Sequence, residues 1–94
     1  MNNKIYDITW TNQFKKDYKL AIKRQLDVRL LDDIIRKLAS GERLSEKNHD
    51  HALTGNWIGY RECHVRPNWL LVYQLEDDLL VLTLTRTGTH SDLF

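Results

Sequence analysis

Four histidines, His49, His51, His64 and His90, are the side chains of this 94-residue chain best suited to move protons near neutral pH. Two chemistries suit them. One is metal binding: His49-x-His51 with Cys63-His64 supplies the right atoms for zinc, but neighbouring strand residues point to opposite faces, so Cys63 and His64 could not readily hold one ion. The other needs no metal. RNA carries its own nucleophile, the 2′-OH, so cutting it requires a base for that proton, a cation or donors for the charge on phosphorus, and an acid for the leaving 5′-oxygen. Histidine suits both proton transfers, arginine suits the phosphate, and aromatics such as Trp69 and Phe94 can stack an unpaired base. A lone histidine is more ordinarily a surface or hydrogen-bonded residue, so the chemistry depends on whether the fold gathers these side chains. The chain runs out in "RTGTHSDLF", a tail that is either tied down by packing or used.

The elements that must do the gathering can be read from period and punctuation. Residues 4–10, "KIYDITW", alternate and are β-branched or aromatic, which predicts a first strand. From Asn12 the period becomes helical, with Phe14, Tyr18 and Ala21/Ile22 on one face and Thr11 or Asn12 as N-cap. Asp27 caps a second helix whose stripe is Val28, Leu31, Ile35 and Leu38, and "SG" at 40–41 stops it. The short link between the two predicts an antiparallel helical pair. Residues 41–57 are polar and aperiodic, and a loop that long is usually functional or disordered. Three strands follow, at 58–65, 69–75 and 79–86, joined by "RPN" and "EDD". The order β-α-α-β-β-β predicts an α+β fold, an antiparallel sheet with the helical hairpin on one face. With an even loop at Pro67-Asn68, Tyr60, Glu62, His64 and Leu71 share one sheet face, with Arg66 and Trp69 near its rim, and Cys63, Val65, Leu70 and Val72 the helix-packing face.

Composition agrees with one ordinary domain spanning 1–94: 41% hydrophobic, 29% charged, one proline, and no repeat or low-complexity run. The apolar runs "WLLVY" and "LLVL" fall far short of the roughly 20 residues of a membrane span. "MNNKIYD" has no signal-peptide pattern, and the lone Cys63 forms no internal disulfide, so a cytoplasmic setting and no membrane partner are expected. Net charge is +1, yet residues 1–50 carry 11 Lys/Arg against 8 Asp/Glu while residues 51–94 carry 3 against 5. The excess lies mostly on "KKDYKLAIKR" at 15–24, a basic helix face or a solvated one.

The blocks "HALTGNWIGYRECHVRPNWLLVYQL" and "LTRTGTHSDLF", together with "FKKDYKLAIKR", resemble the YafQ-type toxins of the RelE/ParE superfamily of bacterial toxin–antitoxin systems over essentially the whole chain. The resemblance implies a RelE-like fold and an endoribonuclease that needs no metal or cofactor, enters the A site of the 70S ribosome and cleaves mRNA. It also implies a cognate DinJ- or RelB-like antitoxin. Carried across position by position, the catalytic histidines fall on His51, His64 and His90, and the substrate-binding aromatics on Trp69 and Phe94. His49 matches no such position and reads as a solvated loop residue. Arg86 could contact phosphate or close its strand with a salt bridge. Asn68 stands where the best-matched members have aspartate; an amide can donate and accept hydrogen bonds but not exchange protons, so its expected role is positioning. The alternative is a gyrase poison of the same fold without nuclease chemistry, against which three proton-transfer groups argue.

Overall fold

The change of period at Asn12 marks a real boundary in the computed structural model, which describes residues 5–94. Lys4, the expected start of the first strand, lies outside the described residues, and the strand itself, β1, runs Asp7–Trp10. Helix α1 spans Asn12–Lys23. Its cap Thr11 accepts from the Phe14 amide at 2.9 Å and donates to the Thr85 carbonyl at 2.8 Å, so the residue that starts the helix also fastens it to the sheet. Helix α2 spans Val28–Ala39 behind its cap Asp27. Both helices end in the same motif: Gln25 and Gly41 take left-handed φ values of 63° and 77°. Leu26 and Glu42 then donate back to the carbonyls of Ala21 and Lys37 at 3.0 and 2.9 Å.

Four more strands follow: β2 (His51–Ala52), β3 (Arg61–Arg66), β4 (Trp69–Glu76) and β5 (Val81–Gly88). Their order with β1 is β1-β5-β4-β3-β2. The α+β class stands, but the sheet is not wholly antiparallel. β1 pairs parallel to β5, which the intervening helices permit because they return the chain to the same end of the sheet. The polar segment 41–57 is also more ordered than expected. A 3-10 turn at Glu46–Asn48, strand β2, and a second 3-10 turn at Gly55–Trp57 divide it.

One face of the sheet carries the helices. Phe14, Leu31, Ile35 and Leu38 pack there on Cys63, Leu71, Tyr73, Leu82 and Leu84, and burying one such leucine contributes about 1.5–3 kcal/mol. The expected register fails by one residue. Cys63 lies opposite Leu71 and His64 opposite Leu70, with a bulge between His64 and Arg66 that leaves Val65 unpaired before the Pro67-Asn68 turn. Leu71 therefore packs under the helices, and Leu70 and Val72 move to the other face with Glu62 and His64. Leu70 and Val72 meet Leu93 there, on a last helical turn α3 (His90–Leu93) that the sequence pattern did not announce.

Candidate active site

His51 and His64 are brought together by the pairing of a two-residue strand with β3. His51 sits opposite Glu62 in that pairing, and His64, two residues along β3, shares Glu62's face. The Nε2 atoms of His51 and His64 lie 3.9 and 3.8 Å from the same Glu62 Oε1. The carboxylate is buried, at 7% exposure. The other ring nitrogens face carbonyls: His51 Nδ1 is 2.7 Å from the His49 oxygen and His64 Nδ1 is 3.2 Å from the Pro67 oxygen. A carbonyl only accepts, so each Nδ1 carries the proton and each Nε2 is the nitrogen free to take one. The pair thus presents two basic nitrogens toward one buried negative charge.

The scaffold behind these rings is dense. Asn48 is buried and donates to the His64 carbonyl at 2.8 Å. The His49 ring meets His64 edge-on at 5.4 Å; with its carbonyl on His51, His49 props both histidines and is not merely a solvated loop residue. Just before His51, Asp50 accepts from the Tyr73 hydroxyl at 2.5 Å and pairs with Arg61 at 3.4 Å. Burial, with the Asp50 carboxylate beside it, pushes the Tyr73 phenol well above its usual range. Burial likewise pushes the Cys63 thiol up, on the helix side of the sheet, so it is no nucleophile here.

The second half of the site is the tail. Thr89 and Asp92 close a capping box, Thr89 N donating to Asp92 Oδ2 at 2.8 Å and Asp92 N to Thr89 Oγ1 at 3.1 Å. Arg24, at the end of α1, adds an ion pair to Asp92 at 2.7 Å. That guanidinium first, and the Thr89 amide second, hold the Asp92 carboxyl well below the usual carboxylate range. Leu93 is buried. His90 is left exposed at the head of the turn, its ring 5.3 Å from Phe94. Phe94, 47% exposed, meets Trp57 edge-on at 5.5 Å, and Trp57 meets Tyr60 at 5.5 Å. The tail is therefore both tied down and displayed. Leu70 floors both halves, facing His64 on one side and Gly88, two residues before His90, on the other.

Three further residues named from the sequence, Trp69, Arg86 and Asn68, line a cavity between α1 and the Pro67 turn. Trp69 is 3% exposed, its indole donating to Thr87 Oγ1 at 3.0 Å, and it packs with the helix-side core rather than on the face of His64. Arg86 takes the salt-bridge option: it grips Asp17 of α1 with Nε at 2.8 Å and Nη2 at 3.2 Å. The register shifts beside it: Arg86 pairs with Val72 while Tyr73 pairs with Leu84, so Thr85 is left without a partner in the ladder. Asn68 is exposed at the turn beside Arg66 and Pro67, lining a cavity against α1. Sequence reasoning in turn missed Glu62 as a functional group, along with Trp57 and Tyr60. The signal for Glu62 was present in E-x-H, two strand residues on one face. Among the described residues no group of three or more His, Cys, Asp and Glu is arranged to hold a metal ion.

Residues 6–94 match the family described as bacterial toxin of type II toxin–antitoxin system, YafQ. The chain is 44% identical over 89 residues to the mRNA interferase toxin YafQ of Escherichia coli K12, covering 94% of this chain and 95% of that one. Its fold superposes on the E. coli DinJ–YafQ toxin–antitoxin complex with a TM-score of 0.87 at 42% identity, over 95% of this chain and 97% of that one. A metal-bound toxin from Helicobacter pylori is similar at 39% identity and a TM-score of 0.90, over 96% of this chain and all of that one.

Proposed function

The chain belongs to the YafQ family of bacterial type II toxin–antitoxin toxins, and we propose that it is an mRNA interferase, a metal-independent endoribonuclease that cuts messenger RNA in the ribosomal A site. The observation that carries this reading is the pair of imidazoles aimed at one buried carboxylate, on a face shared with an exposed tail histidine and a row of aromatic rings. In the reaction, Nε2 of His51 or His64 takes the 2′-OH proton as that oxygen attacks phosphorus, and Glu62 steadies the imidazolium formed. His90 gives a proton to the 5′-oxygen as the P–O5′ bond breaks, leaving a 2′,3′-cyclic phosphate and a 5′-hydroxyl. Phe94 and Trp57 stack the displaced base. Asn68 positions the turn beside His64, while Trp69 and Arg86 hold the walls rather than the substrate.

The relatives' DinJ complex supports a DinJ- or RelB-like antitoxin as the neutralising partner. No described helix is long and apolar enough to cross a membrane, and a ribosomal target fits action in the cytoplasm. The test is induced expression followed by mapping of transcript ends. Cuts in phase with codons, carrying cyclic phosphate ends and absent with His90→Ala, are expected. Growth arrest with intact transcripts would overturn the reading. In a purified translation mixture with magnesium retained, a chelator selective for zinc and copper leaves cleavage unchanged. Loss of cleavage restored by added zinc would remove the metal-free mechanism.

A further inference from the structure

A cavity of about 610 Å³ lies between α1, the Pro67 turn and the tail, within the roughly 300–1,000 Å³ of small-molecule sites. Its walls are mostly apolar, Leu20, Ala21, Leu26, Pro67 and Trp69 among them. Three arginines and two aspartates join them, but the charges are unequally free. Arg86 is committed to Asp17 and Arg24 to Asp92. Arg66 is exposed and within electrostatic reach of Asp27, which lies outside the lining. One surplus cation at the mouth of an apolar pocket suits one carboxylate on an apolar body; a nucleotide's phosphates would call for more free positive charge than this.

The same walls carry the parts that aim the histidines. Pro67 lines the cavity and its carbonyl faces His64 Nδ1 at 3.2 Å. Thr89 and Asp92 line it and form the box from which His90 projects. We propose that this cavity is a regulatory site for a small aromatic or aliphatic carboxylate, whose binding displaces the Pro67 turn and the Thr89–Asp92 box and so slows the reaction carried by His64 and His90. The slowing rests on the nuclease reading above; the binding does not. A ligand shifts a two-state element only by its differential affinity, and such couplings are typically about 5–150-fold.

The probe is 2-naphthoate, with 2-naphthamide as its uncharged isostere, titrated into the full chain by NMR. Naphthoate should bind at least tenfold tighter than the amide, moving the Pro67-turn and tail amides and the His64 and His90 ring signals. Arg66→Gln should abolish the preference for the charged form, and Ala21→Leu should weaken both probes by filling the pocket. If Ala21→Leu fails to fold, the exposed Arg66 variant still decides. Saturating naphthoate should slow transcript cleavage at least fivefold in wild type. Equal affinity for the two probes, or binding that leaves both histidine rings unmoved, overturns the proposal. So does a lack of naphthoate binding; shifts of the same amides with the antitoxin or with a mononucleotide would then give the cavity to that occupant. Because binding and ring shifts are read without RNA, a chain that bound naphthoate but cut no transcript would refute the nuclease reading and leave the site intact.

Discussion

His51 and His64 stand on a sheet, whereas His90 stands on a single helical turn, and the two settings differ in what holds each ring. The sheet pair is over-determined: each imidazole has a carbonyl behind it and a shared buried carboxylate before it, and His64 has the His49 ring at its side. The tail is held by one capping box, one surface ion pair, one buried leucine and the edge-on contact of Phe94 with Trp57. A cluster whose rings converge on one buried carboxylate is stiffer and less tolerant of a missing member than a surface tether, which is weak and reversible. Proton abstraction at a fixed 2′-OH suits the first setting. An acid that must meet a leaving group, and then let a product go, suits the second.

The largest expected effects follow from that division. His90→Ala should lower cleavage by about 10²–10⁴-fold with the melting temperature unchanged, since an exposed ring contributes little packing. His51→Ala and His64→Ala should each cost a similar factor, but the double variant should be little worse than the poorer single, because the two rings serve one proton. Singles that multiply in the double would mean the rings work independently, and the contrast between a coupled pair and a lone tail group would fail.

Glu62→Gln comes next. The amide keeps the shape but removes the charge that both Nε2 atoms face, and a contact to a charged group is worth about 1.5–3 kcal/mol, or about 10–10²-fold in rate. Measured with His90→Ala in a double-mutant cycle, the two losses should multiply, since the groups belong to different halves. Strong coupling between them would show that the halves are one unit.

How far this division was legible in the sequence depends on the range of the forces that make it. Local signals read through: Thr11 and Asp27 cap where their side chains can reach the next amides, and Gly41 stops α2 because it takes a left-handed φ. The pattern missed what is decided by pairing. Nothing in "HVRPNW" says that Val65 will bulge, yet that one residue exchanges the faces of Leu70, Leu71 and Val72. The parallel seat of β1 beside β5 is a contact between the two ends of the chain, invisible to any local window. Of the site, the four histidines stood out as candidates because few residue types carry their chemistry, but the choice of His51, His64 and His90 rested on the resemblance to YafQ-type toxins. Glu62 was not singled out, because E-x-H shows that the two side chains share a face but not that the carboxylate is buried between two imidazoles. Trp69 was read as a substrate contact, and Arg86 was left between phosphate and a salt bridge, because a reader of sequence cannot see that Thr87 and Asp17 already hold them.

A smaller effect separates anchoring from chemistry. Gly88 has a φ of 159°, and a Cβ there would lie 2.9 Å from Asp92 Oδ2 and 3.0 Å from Asp92 Cβ. Gly88→Ala must therefore push Asp92 aside, opening the box and the contact with Arg24 while leaving His90 in the sequence. A lost cap is worth about 1 kcal/mol, so cleavage should fall about fivefold. Thr89→Ala should do much the same. A fall as deep as that of His90→Ala would mean that the tail, like the sheet pair, tolerates no looseness.

The least effect expected is that of pH on the tether, and its sign follows from Asp92. Its carboxyl is held well below its ordinary value of 3.8, chiefly by the Arg24 guanidinium. The docked tail therefore favours the ionised form. Its contribution is fully present above the unfolded carboxylate's value and is lost as pH falls through the lowered one. Across pH 5–8 the anchoring of α3 should be flat, so any pH dependence of cleavage in that range belongs to the histidines. Below about pH 4 the tail should loosen while the sheet stays folded, seen as a change in the Leu93 methyl signals that Asp92→Asn abolishes. Added salt should mimic a fraction of that loosening, since the Arg24–Asp92 pair lies at the surface and is open to screening. A tail that releases between pH 5 and 8 would contradict this assignment: the group controlling it would then be an imidazole, and His90 would be holding the tail as well as using it.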